Sequence, residues 1–409
     1  MAGKQNLIFL MYDIHYIGGV ERVTVNMANY YVTAGHRVTI LSLSRKKNLN
    51  FFNLDERVTI HYLNFHFENG FNLPQKIAST FKVNGYLKKI KEPAIVIATG
   101  TSYPSSLLGM LPKRKNLRTI GFQHATYASA RHIWALLRWL FFRRLDAVVS
   151  LVECDLPGLR KHNPNCWVIP NALHFYPETT ARLENKTILT IGRMHPEKGY
   201  DLLIKVFEKF TRTHPEWRFR ILGDGPLKKE LIESIERTGF KDRIDILPPS
   251  DLIYEHFLEA SIYLMPSRVE PFGMVLLEAQ ACGLPVVAFD CPTGPAEIIT
   301  DCPPNNADGL QIHPSKGSSD RCGSSDRCGS SDGCGSSDGF AIRPSMNQDG
   351  FLIHPFDIDE MCSKLHDLAS NPALRKSLGH HARQNVCRFF PEAIYHKWDL
   401  LFNELNYKE

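Results

Sequence analysis

Short apolar runs alternate with helical periodicity over residues 1–172. Residues 6–12 (NLIFLMY) are apolar without alternation, the pattern of a strand buried on both faces. Residues 20–34 carry apolar positions at helical spacing and stop at Gly35, a residue suited to the left-handed conformation that closes helices. Strand-like runs recur at 37–43, 94–98, 118–122 and 147–151, with helical stretches between them. Continuous apolar strands separated by helices predict a parallel sheet covered on both faces. The alternation breaks around 170–184 and then resumes. Thr187–Ile191, Arg218–Leu222, Ile244–Leu247, Ile262–Met265 and residues 285–289 read as strands of a second sheet. The predicted fold class is α/β: two Rossmann-like doubly wound domains, at 1–172 and 184–389, with a cleft between them. Residues 390–409 hold an aromatic-rich amphipathic helix with no strand after it. This helix is expected to pack back on the first domain.

A low-complexity insertion at about 302–348 interrupts the second domain. Residues 317–340 are four tandem hexapeptides, GSSDRC GSSDRC GSSDGC GSSDGF, and a heptapeptide pattern beginning Asp-Gly recurs at 308–314, 338–344 and 349–355. A Ser/Gly/Asp tract cannot build a core and reads as a tolerated surface insertion. The third heptapeptide, DGFLIHP, is expected to form the native strand. It alone runs directly into FDIDEMCSKLHDL, where Asp357 or Asp359 can cap a helix.

With 409 residues, 43% of them hydrophobic and 22% charged, the composition is that of an ordinary globular protein. No apolar run approaches the length of a membrane span, and residues 1–13 lack the features of a secretory signal. Three of the ten cysteines recur at a spacing that matches no common zinc pattern, and the others are scattered. These features point to reduced thiols and a cytoplasmic protein. Charge changes the picture. Residues 1–172 hold 22 Lys and Arg against 9 Asp and Glu, whereas the remainder holds 26 against 34. The first half therefore faces something anionic: nucleic acid, anionic lipid or a phosphate-bearing substrate. Nucleic acid fits the charge, but no recognition motif supports it. Residues 132–144 (HIWALLRWLFFRR) read either as an interfacial membrane helix or as a core helix with a basic outer side.

Four turns carry candidate chemistry. Gly18 and Gly19 follow the first strand and open a helix, where backbone N–H groups can approach an anion. Residues 192–199 (GRMHPEKG) lie at the end of a strand, where doubly wound folds bind ligands. There Arg193 offers a fork to phosphate oxygens and Lys198 a point charge. Gly223 begins a similar turn, GDGP. Residues 270–278 (EPFGMVLLE) place Glu270 in a loop at the cleft, with the N–H groups of Gly273, Met274 and Val275 free at a helix start. Glu278 lies inside that helix among core-like neighbours. It can accept both hydroxyls of a ribose, and if buried it needs a partner. On the residues alone His124, in FQHATY, reads as a core or turn histidine.

Together these motifs resemble the family-4 glycosyltransferases of the GT-B fold, over nearly the whole chain except about 302–349. The resemblance implies a retaining transferase that uses a nucleotide-diphosphate sugar, UDP-linked, with no metal and no further cofactor. It assigns Arg193 and Lys198 to the donor diphosphate and Glu278 to the ribose. Glu270 falls beside the sugar ring, and Phe272, Gly273 and Met274 supply backbone contacts. Gly19 approaches the donor phosphate, and His124 contacts the donor sugar from the first domain. The implied catalytic set is His124, Glu270, Arg193 and Lys198. The implied donor site adds Gly19, Gly192, Gly223, Phe272, Gly273, Met274, Val275 and Glu278. The expected acceptor is a lipid-linked or lipopolysaccharide-type glycan at the cytoplasmic face of an inner membrane, with a hexose or N-acetylhexosamine transferred. Rival readings are a sugar-nucleotide 2-epimerase of the same fold and a non-catalytic glycan-binding subunit.

Lengthening a surface loop is thermodynamically cheap, so deleting residues 315–340 is expected to leave stability and activity within about twofold. Thermal unfolding and transfer assays of the deletion variant check this, and loss of fold or of transfer would show the tract to be structural.

Overall fold

The protein is described here by a computed structural model covering residues 4–16, 18–45, 52–65, 73–129, 132–250, 252–299 and 349–407. Seven strands form the first sheet: β1 (Asn6–Met11), β2 (Arg37–Ser44), β3 (Thr59–Phe65), β4 (Ala94–Gly100), β5 (Leu117–Gln123), β6 (Ala147–Ser150) and β7 (Cys166–Val168). They lie in the order β3-β2-β1-β4-β5-β6-β7, all parallel. Six more form the second: β8 (Thr187–Ile191), β9 (Arg218–Leu222), β10 (Ile244–Leu247), β11 (Ile262–Met265), β12 (Val286–Phe289) and β13 (Gly350–Ile353). Their order is β10-β9-β8-β11-β12-β13, again parallel. The connecting helices are α1 (Gly19–Thr33), α2 (Leu73–Lys88), α3 (Ser102–Met110), α4 (His132–Phe141) and α5 (Leu156–Arg160) in the first half. The second half has α6 (Tyr200–Thr213), α7 (Lys228–Thr238), α8 (Ile253–Leu258), α9 (Met274–Ala281) and α10 (Pro295–Ile298). After β13 come α11 (Ile358–Ser370), α12 (Pro372–Asn385) and α13 (Pro391–Tyr407).

The apolar runs are unbroken because both sides of each central strand are packed. In β1 and β4, Leu7, Phe9, Ile95 and Ile97 join one core layer. Ile8, Leu10, Val96 and Ala98 join the other. β3 and β7 are the strands that the apolar pattern does not show. They are the two edges of the first sheet and are only partly covered. An edge strand needs no continuous apolar run, so its sequence carries a weaker signal.

The third heptapeptide pairs as a strand. Gly350–Ile353 lies in register against Val286–Phe289 of β12. Asp357 then caps α11, its Oδ1 accepting from the Glu360 N–H at 2.9 Å. The hexapeptide tract 317–340 and the first two heptapeptide copies lie outside the described residues. Cys166, Cys282, Cys291, Cys362 and Cys387 are free thiols.

α13 crosses back to the first sheet. The Tyr31 hydroxyl of α1 donates to Asp399 at 3.2 Å, and Arg118 of β5 donates to the Leu405 carbonyl at 2.8 Å. Trp398 is fully buried and meets the Phe122 ring edge-on at 4.9 Å. Trp398→Ala is therefore expected to lower stability by about 3–5 kcal/mol, the scale for emptying an aromatic site. Denaturant unfolding followed by circular dichroism measures it, and a change under about 1 kcal/mol would deny this contact its role in holding α13.

Candidate active site

In both sheets the strand order reverses beside the first strand of the domain, between β1 and β4 and between β8 and β11. Crevices at such reversals, outside the carboxyl ends of the strands, are where doubly wound folds take ligands. Here the two crevices face one cavity of about 470 Å³. Gly18, Gly19 and Arg22 line it from the first domain. Gly192, Arg193, Gly223, Met274, Val275 and Glu278 line it from the second.

The glycines act in two ways. A Cβ on Gly223 would stand 2.0 Å from the Gly192 carbonyl oxygen, so the two strand-end loops can touch only with glycine there. A Cβ on Gly19 would meet nothing within 4 Å, because the space above it belongs to the cavity. Gly273, at φ +103°, turns the chain from the 270–272 link into α9 in a conformation that other residues resist. Met274 and Val275 then face the cavity in the first helical turn, where N–H groups have no intrahelical acceptor.

Glu278 has no solvent exposure. Its Oε1 accepts from Arg22 Nη1 of α1 at 2.8 Å, so the partner that a buried carboxylate needs comes from the opposite domain. His174 Nδ1 stands 3.6 Å from the same oxygen, and Phe52 lies under the Arg22 guanidinium at 5.2 Å. Burial pushes the Glu278 carboxyl up to about 7, with Arg22 opposing the shift. Burial, and secondarily Arg22, pushes His174 down to about 3, so its ring stays neutral. Glu278 Oε2 is buried without a hydrogen-bond partner, an acceptor that a ligand hydroxyl could satisfy.

The remaining predicted residues sit around this cavity. Arg193 is an exposed cation at the cavity wall, held to Glu197 at 3.1 Å. Lys198 is paired with Glu270, and both are largely buried. The Glu270 carbonyl accepts from the Gly294 N–H at 2.9 Å and from the Thr293 hydroxyl, which fixes the link before α9. The Phe272 ring is in the core against Phe389, so only its backbone is available to the site. His124 follows β5, with its N–H on the Gly100 carbonyl at 2.8 Å and Nε2 3.1 Å from the Thr99 hydroxyl. Burial holds its imidazole down to about 3, so the ring is neutral. Lys198, Glu270, Phe272, Gly273 and His124 lie outside the cavity lining, whereas Gly19, Gly192, Arg193, Gly223, Met274, Val275 and Glu278 form part of it.

Arg22, His174 and Phe52 are site residues that the sequence reading did not single out. Arg22 had a signal: it stands three positions after the glycine pair, in GGVER, and a buried Glu278 needed a partner. His174 and Phe52 had none, because each reaches the site only through tertiary packing.

Comparison with known proteins agrees with this architecture. Two family models match in tandem, Glycosyltransferase Family 4 over residues 17–174 and Glycosyl transferases group 1 over residues 176–316. An uncharacterized glycosyltransferase of Haemophilus influenzae is 27% identical over 308 residues, 71% of this chain and 82% of that protein. The amylovoran biosynthesis glycosyltransferase AmsD of Erwinia amylovora is 24% identical over 97% of this chain and 99% of its own length. The structure of a variant of TarM from S. aureus, in complex with fondaparinux, alpha-GlcNAc-glycerol and UDP, superposes with a TM-score of 0.73 at 17% identity, covering 98% of this chain and 100% of that one. The chain is a glycosyltransferase built of a Glycosyltransferase Family 4 domain over residues 17–174 and a Glycosyl transferases group 1 domain over residues 176–316, and it has the GT-B fold.

Proposed function

We propose that the cleft binds a UDP-linked hexose or N-acetylhexosamine, and that the sugar passes with retention to a lipid-linked or lipopolysaccharide-type glycan at the cytoplasmic face of the inner membrane. The observation that carries this reading is the pairing, in one cavity, of the unsatisfied Glu278 Oε2 with the open start of α9. Such a site offers an acceptor to ribose hydroxyls and N–H donors to a diphosphate. The Erwinia relative's role in amylovoran biosynthesis and the UDP bound to TarM support a UDP-linked donor and a glycan product.

In this reading Glu278 holds the ribose. Arg193, Lys198 and the α9 start meet charge on the departing diphosphate, and Gly19 lets the backbone close on it. The bond from the anomeric carbon to the phosphate oxygen breaks, and its electron pair leaves with the UDP. The acceptor oxygen bonds to that carbon from the same face, and its proton passes to the departing phosphate. Glu270, fixed beside Lys198, and neutral His124 hold sugar hydroxyls. No metal takes part, since side-chain and backbone donors supply the positive field.

Incubation with a panel of nucleotide sugars, with and without membrane extract, tests the assignment. UDP release stimulated by extract is expected and should survive EDTA. Release from no nucleotide sugar would overturn the reading, and activity regained only on adding magnesium or manganese would overturn its metal-free part.

Glu278→Ala is expected to weaken nucleotide binding roughly 10- to 150-fold, the loss of one charged hydrogen-bonding partner. Because the Glu278 carboxyl is raised to about 7, its ionised form grows as pH rises through that value. Donor affinity is expected to rise with it, and Glu278→Gln should flatten the profile. Calorimetric titrations across pH decide both points, and an unchanged affinity in the Ala variant would remove Glu278 from the ribose site.

A further inference from the structure

Five large apolar side chains stand in solvent on two helices of the first domain. Phe81 is 72% exposed, and Ile77 beside it on α2 is half exposed, as are Ile133, Leu136 and Trp139 on α4. Spacings of three and four residues put each set on one helical face. The two helices flank α3, which is buried from Ser102 to Gly109. Tyr103 of α3 joins them, with its hydroxyl 2.6 Å from Ser79 of α2 and its ring 5.9 Å from Trp134 of α4. Lys76 of α2 also lies 4.7 Å from the Trp134 ring. Single exposed apolar residues are ordinary, but a set on adjoining helices marks an interaction surface.

The charge around this set has one sign. Neither α2 nor residues 132–144 contain an acidic residue. Arg143 lies over the Trp139 ring at 4.9 Å, a cation stacked on an aromatic group that is itself half in solvent. At the carboxyl ends of the same helices a second cavity opens, of about 260 Å³. Leu87, Leu108 and Leu111 give it an aliphatic wall, and the exposed Lys113, Lys115 and Arg144 line it as cations. Asp146 is the one acid among its lining residues. The cavity sits at the start of β5, the opposite end of the sheet from the cleft, so it is separate from the donor site.

We propose that α2, α4 and this cation-lined cavity form the face by which the first domain docks on an anionic bilayer. The apolar side chains enter the boundary of the acyl region, and the cavity takes a lipid headgroup phosphate. The contact is peripheral, since no helix among the described residues is long and apolar enough to cross a membrane. The inference rests on the membrane-side acceptor of the preceding reading and adds where the membrane is met.

Flotation of the full chain with vesicles tests it, using phosphatidylcholine alone or phosphatidylcholine with phosphatidylglycerol. Binding is expected to the anionic vesicles only and to weaken with salt. The double variant Phe81→Ser with Trp139→Ser should lose about tenfold or more in partitioning, the scale for withdrawing large apolar groups. Lys113→Glu with Lys115→Glu should lose a similar factor through charge. Equal binding to both vesicle types, or variants that float like the parent, would overturn the proposal. So would displacement by glycerol phosphate in solution, which would make the cavity a site for free phosphate esters. Self-association abolished by the serine variants would instead assign the face to a second copy of the chain. UDP release in solution reads the cleft alone and is followed in the same samples, so a failure of the transferase reading appears separately.

Discussion

A carboxylate without solvent must meet a cation or give up its charge, and Glu278 meets Arg22 on the other domain. That contact ties α1 to α9 across the cleft, beside the glycine loops of both halves. Its electrostatics are unbalanced. One carboxylate oxygen is bonded, the other has no partner, and burial still outweighs the guanidinium in setting the proton affinity. The site thus holds a buried acid with a raised proton affinity and a spare acceptor.

The rest of the site depends on backbones coming close. Gly223 lets the β9 loop touch the β8 loop at Gly192. Gly273 turns the chain into α9, and the fixed Glu270 carbonyl holds the link before it. These features bring the ends of several strands and one helix start to a single cavity. Charge lies around it in pairs: Arg193 with Glu197, Lys198 with Glu270, Arg22 with Glu278. Pairing holds these cations in place, the preorganisation on which the proposed transfer relies.

The parallel sheet also separates the two ends of the first domain. The carboxyl ends of its strands open on the cleft, and the opposite end carries the basic cavity. α2 and α4 run between these ends with their apolar stripes outward. The positive excess of residues 1–172 therefore has a location as well as a size, much of it around α2, α4 and the start of β5.

The sequence by itself determined the two sheets and their strand ends, because strands packed on both faces must be apolar throughout and turns at ligand sites must be small. It placed the third heptapeptide as β13 and narrowed the cap of α11 to Asp357 or Asp359, both local matters of chain continuity and hydrogen bonding, and the structure chose Asp357. It marked Glu278 as a buried acid in need of a partner, because the residues around it are core-like. It did not show β3 and β7, which as partly covered edges lack the continuous apolar run. Nor did it show that Arg22, 256 positions away, is that partner, or that His174 and Phe52 stand beside the pair. It left residues 132–144 undecided between core and surface. Only the tertiary structure settled that this stretch buries Arg138 and Phe142 and leaves Ile133, Leu136 and Trp139 in solvent. Periodicity fixes which residues share a face, but what covers that face depends on contacts between segments far apart in the chain.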